Sequence, residues 1–157
     1  MRKISVLMFL LPAFFWEGCG SDDDVKDMQK PVIEMSGDGY FPQNCVFLKR
    51  GDRFTFKAKF SDNVELGNYN IEIHHNFDHH SHSTGSEECE TEAKKDPVNA
   101  WVFNQDYAIP AGLKEYAPSN EIAVPAGVDT GDYHFMIRLT DKSGWQQLAA
   151  ISVKIIE

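Results

Sequence analysis

Five histidines fall within nine residues, His74-His75-Asn76-Phe77-Asp78-His79-His80-Ser81-His82, and the sixth, His134, stands far along the chain. Neutral imidazole is the commonest side-chain metal ligand, and a donor set of imidazoles with one carboxylate suits Zn²⁺, Cu²⁺ or Ni²⁺. Ca²⁺ and Mg²⁺ want oxygen and fit such a set poorly. The expected ligands are His74, Asp78, His79, His80, His82 and His134, with Zn²⁺ or Cu²⁺ the expected ion. The plainer reading is a polar loop that happens to be rich in histidine. No H-E-x-x-H, nucleophile elbow or other catalytic constellation is present, so binding without turnover is expected. The enzymatic alternative is metal-assisted hydrolysis at an open coordination position.

Distant ligands can meet only if elements of structure carry them to one place. Period-two alternation recurs along the chain with turn residues between the runs, and no segment keeps a helical period. The spacing predicts strands over Arg53 to Phe60, Leu66 to His75, Tyr133 to Thr140 and Leu148 to Ile156. Weaker candidates lie near Val32 to Ser36, Cys45 to Lys49, Ala100 to Asn104 and Glu121 to Val124. Seven to eight short strands of this kind argue for an antiparallel β-sandwich. The stretch Asp129-x-Gly131-x-Tyr133-x-Phe135 resembles the approach to strand F of immunoglobulin-like domains, where the tyrosine makes a corner hydrogen bond. Asp141-Lys142-Ser143-Gly144 fits a tight hairpin into the last strand. Phe135 stands where antibody domains carry a cysteine, so the resemblance is to the broader immunoglobulin-like class.

Parity within those strands then places the ligands. Tyr69, Ile71 and Ile73 face inward, which turns His74 outward; Tyr133, Phe135, Ile137 and Leu139 face inward, which turns His134 outward. Leu66 to His75 then reads as strand C and Tyr133 to Thr140 as strand F, which are antiparallel neighbours in such a sandwich. His74 and His134 should therefore meet, with the loop from Phe77 to His82 folding over them. Phe77 itself reads either as a core aromatic or as part of the site.

Cysteine usage leaves two readings open. Cys45 and Cys89 can pair in an oxidising compartment, or Cys89 can serve as a thiolate ligand seven residues beyond His82. The acidic run Glu87-Glu88-Cys89-Glu90-Thr91-Glu92 reads as a solvated loop or as a rim that gathers cations. Trp101 and Trp145 read as core aromatics or as a sugar-binding platform.

The first 18 residues read as a removable leader, since Arg2 and Lys3 precede an apolar run from Ile4 to Phe15. That run is too short to cross a bilayer, which takes about 20 apolar residues. The following Gly18-Cys19-Gly20-Ser21-Asp22-Asp23-Asp24 resembles the lipoprotein processing site of Bacteroidetes, which implies a lipid on Cys19 and an outer-membrane or cell-surface address. Residues 19–30 then form a lipidated, flexible tether and 31–157 a single folded domain. The whole chain carries a net charge of -9, and losing the leader, with two cationic and one anionic side chain, takes the mature chain to -10. Nucleic acid is an unsuitable partner for such a surface.

With its stretch Asn76-Phe77-Asp78-His79-His80-Ser81-His82, the chain is similar to small uncharacterised immunoglobulin-like lipoproteins of Bacteroidetes that carry a histidine-rich segment. The resemblance implies architecture and location and brings no activity with it. Two functions follow as expectations. One is capture or storage of a transition metal at the cell surface. The other is an accessory adhesion or glycan-binding module, engaging a surface protein or a glycan, in which the histidines have no metal role.

Overall fold

A computed structural model describes residues 26–81 and 89–157 of the chain. The leader, Cys19, His82, Glu87 and Glu88 lie outside the described residues.

Alternating apolar side chains produce ten strands among the described residues. They are β1 (Val32–Glu34), β2 (Val46–Lys49), β3 (Arg53–Lys57), β4 (Lys59–Ser61), β5 (Leu66–His75), β6 (Phe103–Ala108), β7 (Glu115–Tyr116), β8 (Ser119–Ala123), β9 (Gly131–Asp141) and β10 (Gln146–Ile156). One layer is a five-stranded sheet in the order β2-β10-β9-β5-β6, antiparallel except that β2 runs parallel to β10. The other layer combines β1-β4-β7 with β3-β8.

The predicted strand from Arg53 to Phe60 is interrupted at Ala58, and its partner is interrupted at Ala117 and Pro118. The register is the same on both sides of the break, with Lys57 opposite Ser119 and Phe60 opposite Tyr116, so Pro118 falls opposite Ala58. Proline has no N–H to give to a ladder, and the pairing lapses there. With the two interrupted strands each taken as continuous, the count is eight, and the molecule is an all-β, immunoglobulin-like sandwich.

Between the layers sit Phe56 and Phe60 from one side and Tyr69, Ile71, Ile73, Tyr133, Phe135, Ile137 and Leu139 from the other, all essentially without exposure. Ring pairs bridge the gap: Phe56 lies 5.6 Å from Phe135 and Phe60 lies 5.1 Å from Tyr69, centroid to centroid. Phe77 and Trp101 are also buried in this core, so Trp101 forms no exposed platform, whereas Trp145 is 36% exposed.

The tyrosine corner is present. Tyr133 donates its hydroxyl hydrogen to the Asp129 carbonyl at 2.8 Å, and the same oxygen accepts the Trp101 N–H at 3.2 Å. That second bond explains a shifted boundary. The strand expected over Ala100 to Asn104 begins only at Phe103, because Val98 and Asn99 donate their N–H groups to Asp129 Oδ2 and Trp101 to Tyr133. Those donors are spent on the corner and cannot join a ladder.

Candidate functional site

The β5/β9 pairing is antiparallel, and its register sets His74 directly opposite His134. Both side chains project from the face of the five-stranded sheet that looks away from the core. His75 follows the other parity and packs its ring 4.9 Å from that of Phe77.

Beyond His75 the chain reverses. Asn76 N–H donates to the Asp132 carbonyl at 2.8 Å, His79 N–H closes a turn on the Asn76 carbonyl at 3.1 Å, and His79 takes a positive φ of 58°. Left-handed backbone is uncommon outside glycine, with histidine among the residues that tolerate it better. The reversal carries His80 back over the end of β5 and β9. There its ring centroid lies 5.4 Å from that of His74 and 5.0 Å from that of His134, and the latter two are 5.5 Å apart. The covering leaves His134 only 8% exposed although it stands on an outer face.

Of the ring nitrogens, one from His74 and one from His80 converge. His80 Nε2 lies 3.3 Å from His74 Nε2. Behind His80, Asp78 Oδ1 sits 2.6 Å from Nδ1, and that hydrogen bond pulls the Asp78 carboxyl down to a pKa of about 2. Behind His74, Glu72 Oε1 approaches Nδ1 to 3.0 Å, a polar contact rather than an aligned hydrogen bond. An ionised carboxylate only accepts, so Nδ1 of His80 carries the proton and its neutral ring offers a lone pair at Nε2. If His74 also holds its proton at Nδ1, two lone pairs face each other at 3.3 Å. If it holds the proton at Nε2, a lone pair faces Glu72 instead. The His134 ring donates through Nε2 to the His80 carbonyl at 3.2 Å.

Two other histidines of the segment are placed differently. His79 turns away from the trio and donates Nε2–H to the Glu92 carbonyl at 2.9 Å, and His82 lies outside the described residues. Asp78 stands behind His80 rather than among the converging nitrogens. Glu72 was not singled out from the sequence, although its signal was there. It lies two residues before His74 on one strand, hence on one face.

Residues 89–95 strap the site to β9 and β10. Cys89 is joined to Cys45 by a disulfide, so its sulfur is not a thiolate ligand. Glu92 N–H donates to Asp132 Oδ2 at 2.7 Å, Lys95 Nζ donates to the Thr130 carbonyl at 2.6 Å, and Lys154 Nζ lies 3.4 Å from Asp132. Residues 90–95 are exposed and without secondary structure, as a solvated loop would be, but they are anchored at Glu92 and Lys95. Gly131 makes room for the strap: a Cβ there would come within 3.0 Å of Lys95 Nζ and 3.1 Å of the Phe77 ring.

The comparisons with known proteins place the chain by family. A domain of unknown function, DUF4625, matches residues 17–156. No curated protein matches the chain. Among solved structures, the GspB Siglec domain is similar at 15% identity and a TM-score of 0.43, over 83% of this chain and 59% of that one. Spo0M, the sporulation control protein of Bacillus subtilis, is similar at 9% identity and a TM-score of 0.38, over 82% of this chain and 49% of that one. The chain therefore spans only about half to three-fifths of either structure's length.

Proposed function

For this chain, which belongs to the DUF4625 family, we propose capture or storage of a transition metal, Zn²⁺ or Cu²⁺, by a lipoprotein held at the outer membrane or cell surface through Cys19. His74, His80 and His134 are the protein ligands, and Glu72 and Asp78 support the first two rings from behind.

The observation that carries this reading is the 3.3 Å approach of His74 Nε2 to His80 Nε2, with a carboxylate at Nδ1 of each ring. Two nitrogens held about 2.1 Å from a tetrahedral ion lie about 3.4 Å apart, and their ring centroids about 5.3 Å apart. The observed centroid separations of 5.0, 5.4 and 5.5 Å bracket that value, although the three rings do not bring one nitrogen each within 4.8 Å of one another. Carboxylates that hydrogen-bond the outer nitrogens are the usual support for metal-bound histidines, because they fix the tautomer and raise ligand basicity; Asp78 does this for His80, and Glu72 stands 3.0 Å from His74 Nδ1 in position to do so. His134 enters the shell by exchanging its bond to the His80 carbonyl for the ion. Imidazole ligands rule in borderline ions and disfavour Ca²⁺ and Mg²⁺.

Membrane attachment is supported by the charged-then-apolar leader that precedes Cys19. Among the described residues no helix is long and apolar enough to cross a membrane.

Elemental analysis of untagged protein, followed by calorimetric titration with ZnCl₂ and CuCl₂, tests the metal reading. Close to one ion per chain and a melting temperature that rises with metal are expected, since a ligand bound only by the folded state stabilises it. Unchanged melting with either metal sinks the reading and leaves the adhesion or glycan-binding module in its place.

A further inference from the structure

We infer that the opposite end of the sandwich holds a second, chemically different cation site, an all-oxygen site for Ca²⁺ built by Asp27, Asp62 and Asp141. It does not depend on the histidine site. The three aspartates come from separate parts of the chain: the segment entering the domain, the β4–β5 connection, and the end of β9 at the hairpin into β10. One carboxylate oxygen of each lies within 4.8 Å of the other two.

Proximity alone would mean little, but the second oxygen of each carboxylate is also orphaned. Oδ1 is committed in all three. In Asp27 it accepts from Gln29 N–H and Asn63 Nδ2 at 3.0 Å, in Asp62 from Val64 and Glu65 N–H at 2.8 Å, and in Asp141 from Trp145 N–H at 2.8 Å. Oδ2 of each is sealed from solvent with no aligned hydrogen bond, although the Ser143 hydroxyl also stands near the Asp27 carboxylate, and Asp27 and Asp141 are only 7% and 4% exposed. Nor does a cationic side chain compensate. Among the described residues none of the three makes an ion pair, and the Lys114 ammonium donates to the Asn63 carbonyl instead. A buried anionic oxygen without a donor is strongly unfavourable, and three together repel one another. A bound divalent cation removes both costs.

Oxygen donors exclude the ions suited to the histidines and select a hard cation. Donors from three independent segments give an adaptable shell, which suits Ca²⁺ at 2.3–2.6 Å better than Mg²⁺ with its rigid octahedron near 2.1 Å. The site would also anchor the chain's entry, because Trp145 Nε1 already donates to the Asp27 carbonyl at 3.0 Å. Ca²⁺ would thereby pin the segment before β1 to the final hairpin.

The test is a thermal melt of chelator-treated, untagged protein with CaCl₂, MgCl₂ or neither, and a calorimetric titration with CaCl₂. Ca²⁺ is expected to raise the melting temperature by several degrees. Asp62→Asn and Asp141→Asn keep the Oδ1 acceptor and should weaken Ca²⁺ at least about ten-fold, as affinity follows the charge count of the ligands. His80→Ala should leave the Ca²⁺ response untouched, which separates this site from the histidine one. Since Asp141 also caps the hairpin and its variant can misfold, Asp27→Asn in the entering segment is the decisive variant. A wild-type melt indifferent to Ca²⁺, an equal response to Mg²⁺, or an Asp27→Asn protein that binds Ca²⁺ as wild type does would each overturn the assignment.

Discussion

His80 is the residue on which the histidine site turns. It touches His74 through Nε2 and Asp78 through Nδ1, and it covers His134 with its backbone carbonyl. Under the metal reading, His80→Ala and His134→Ala should each abolish the zinc-induced rise in melting temperature while leaving the metal-free protein folded. Asp78→Asn and Glu72→Gln remove only the support behind a ligand, and each should weaken zinc about 10- to 100-fold in a calorimetric titration. Proton competition gives a further expectation. Ligand imidazoles must be neutral, and an ordinary histidine titrates near pH 6.5, so zinc affinity should fall steadily as pH drops below about 6.5. Affinity that stays flat from pH 7.5 to 5 would point to carboxylate rather than imidazole ligands.

At the scale of elements, the site consists of a strand pair, a reversal and a strap. The β5/β9 register supplies two rings on one face, the turn at His79 supplies the third, and the disulfide holds the start of the strap to the residue preceding β2. A cross-link that closes a loop of 44 residues should stabilise the fold by about 4 kcal/mol if it acts through the entropy of the unfolded chain. The Cys45→Ser/Cys89→Ser double variant is therefore expected to unfold at a clearly lower urea concentration than wild type. Coincident urea midpoints for the two proteins would show that the hydrogen bonds of Glu92 and Lys95 hold the strap unaided.

The whole molecule depends on the corner around Tyr133, where the buried ring joins the core to the loop that follows β8. Tyr133→Phe removes a hydrogen bond to Asp129 and leaves the Trp101 N–H buried without an acceptor. A loss of about 2–3 kcal/mol is expected in denaturant unfolding. Asp129 adds a pH dependence. Hydrogen bonds from the Asn99 and then the Val98 N–H groups, aided by the positive charges of Lys95 and Arg50, hold its carboxyl below the usual aspartate value. A group depressed in the folded state contributes stability that is complete above its unfolded pKa, near 3.9, and is lost as pH falls through the folded value. Acid unfolding should consequently show a limb below about pH 4 that is shallower in Asp129→Asn.

Much of the sandwich was legible in the chain because a strand has a period of two. The inward positions of β5 and β9 follow from alternation alone, and so does the meeting of His74 with His134, since parity fixes the face and antiparallel pairing fixes the neighbour. The tyrosine corner was equally legible, as a local motif of seven residues encodes it. Contacts set by chain reversals and by distant segments were not. Nothing in the one-dimensional pattern says that His79 turns left-handed and sends His80 over the sheet while its own ring leaves, or that Asp78 lies behind His80. Asp27 was placed by composition in a flexible tether that ends at residue 30, yet it is buried against Asn63 and Trp145. Its three-aspartate cluster joins positions 27, 62 and 141, and no periodicity links them. Alternation reports which face a residue takes, whereas the convergence of separate loops depends on how the layers close, and that is decided by packing in three dimensions.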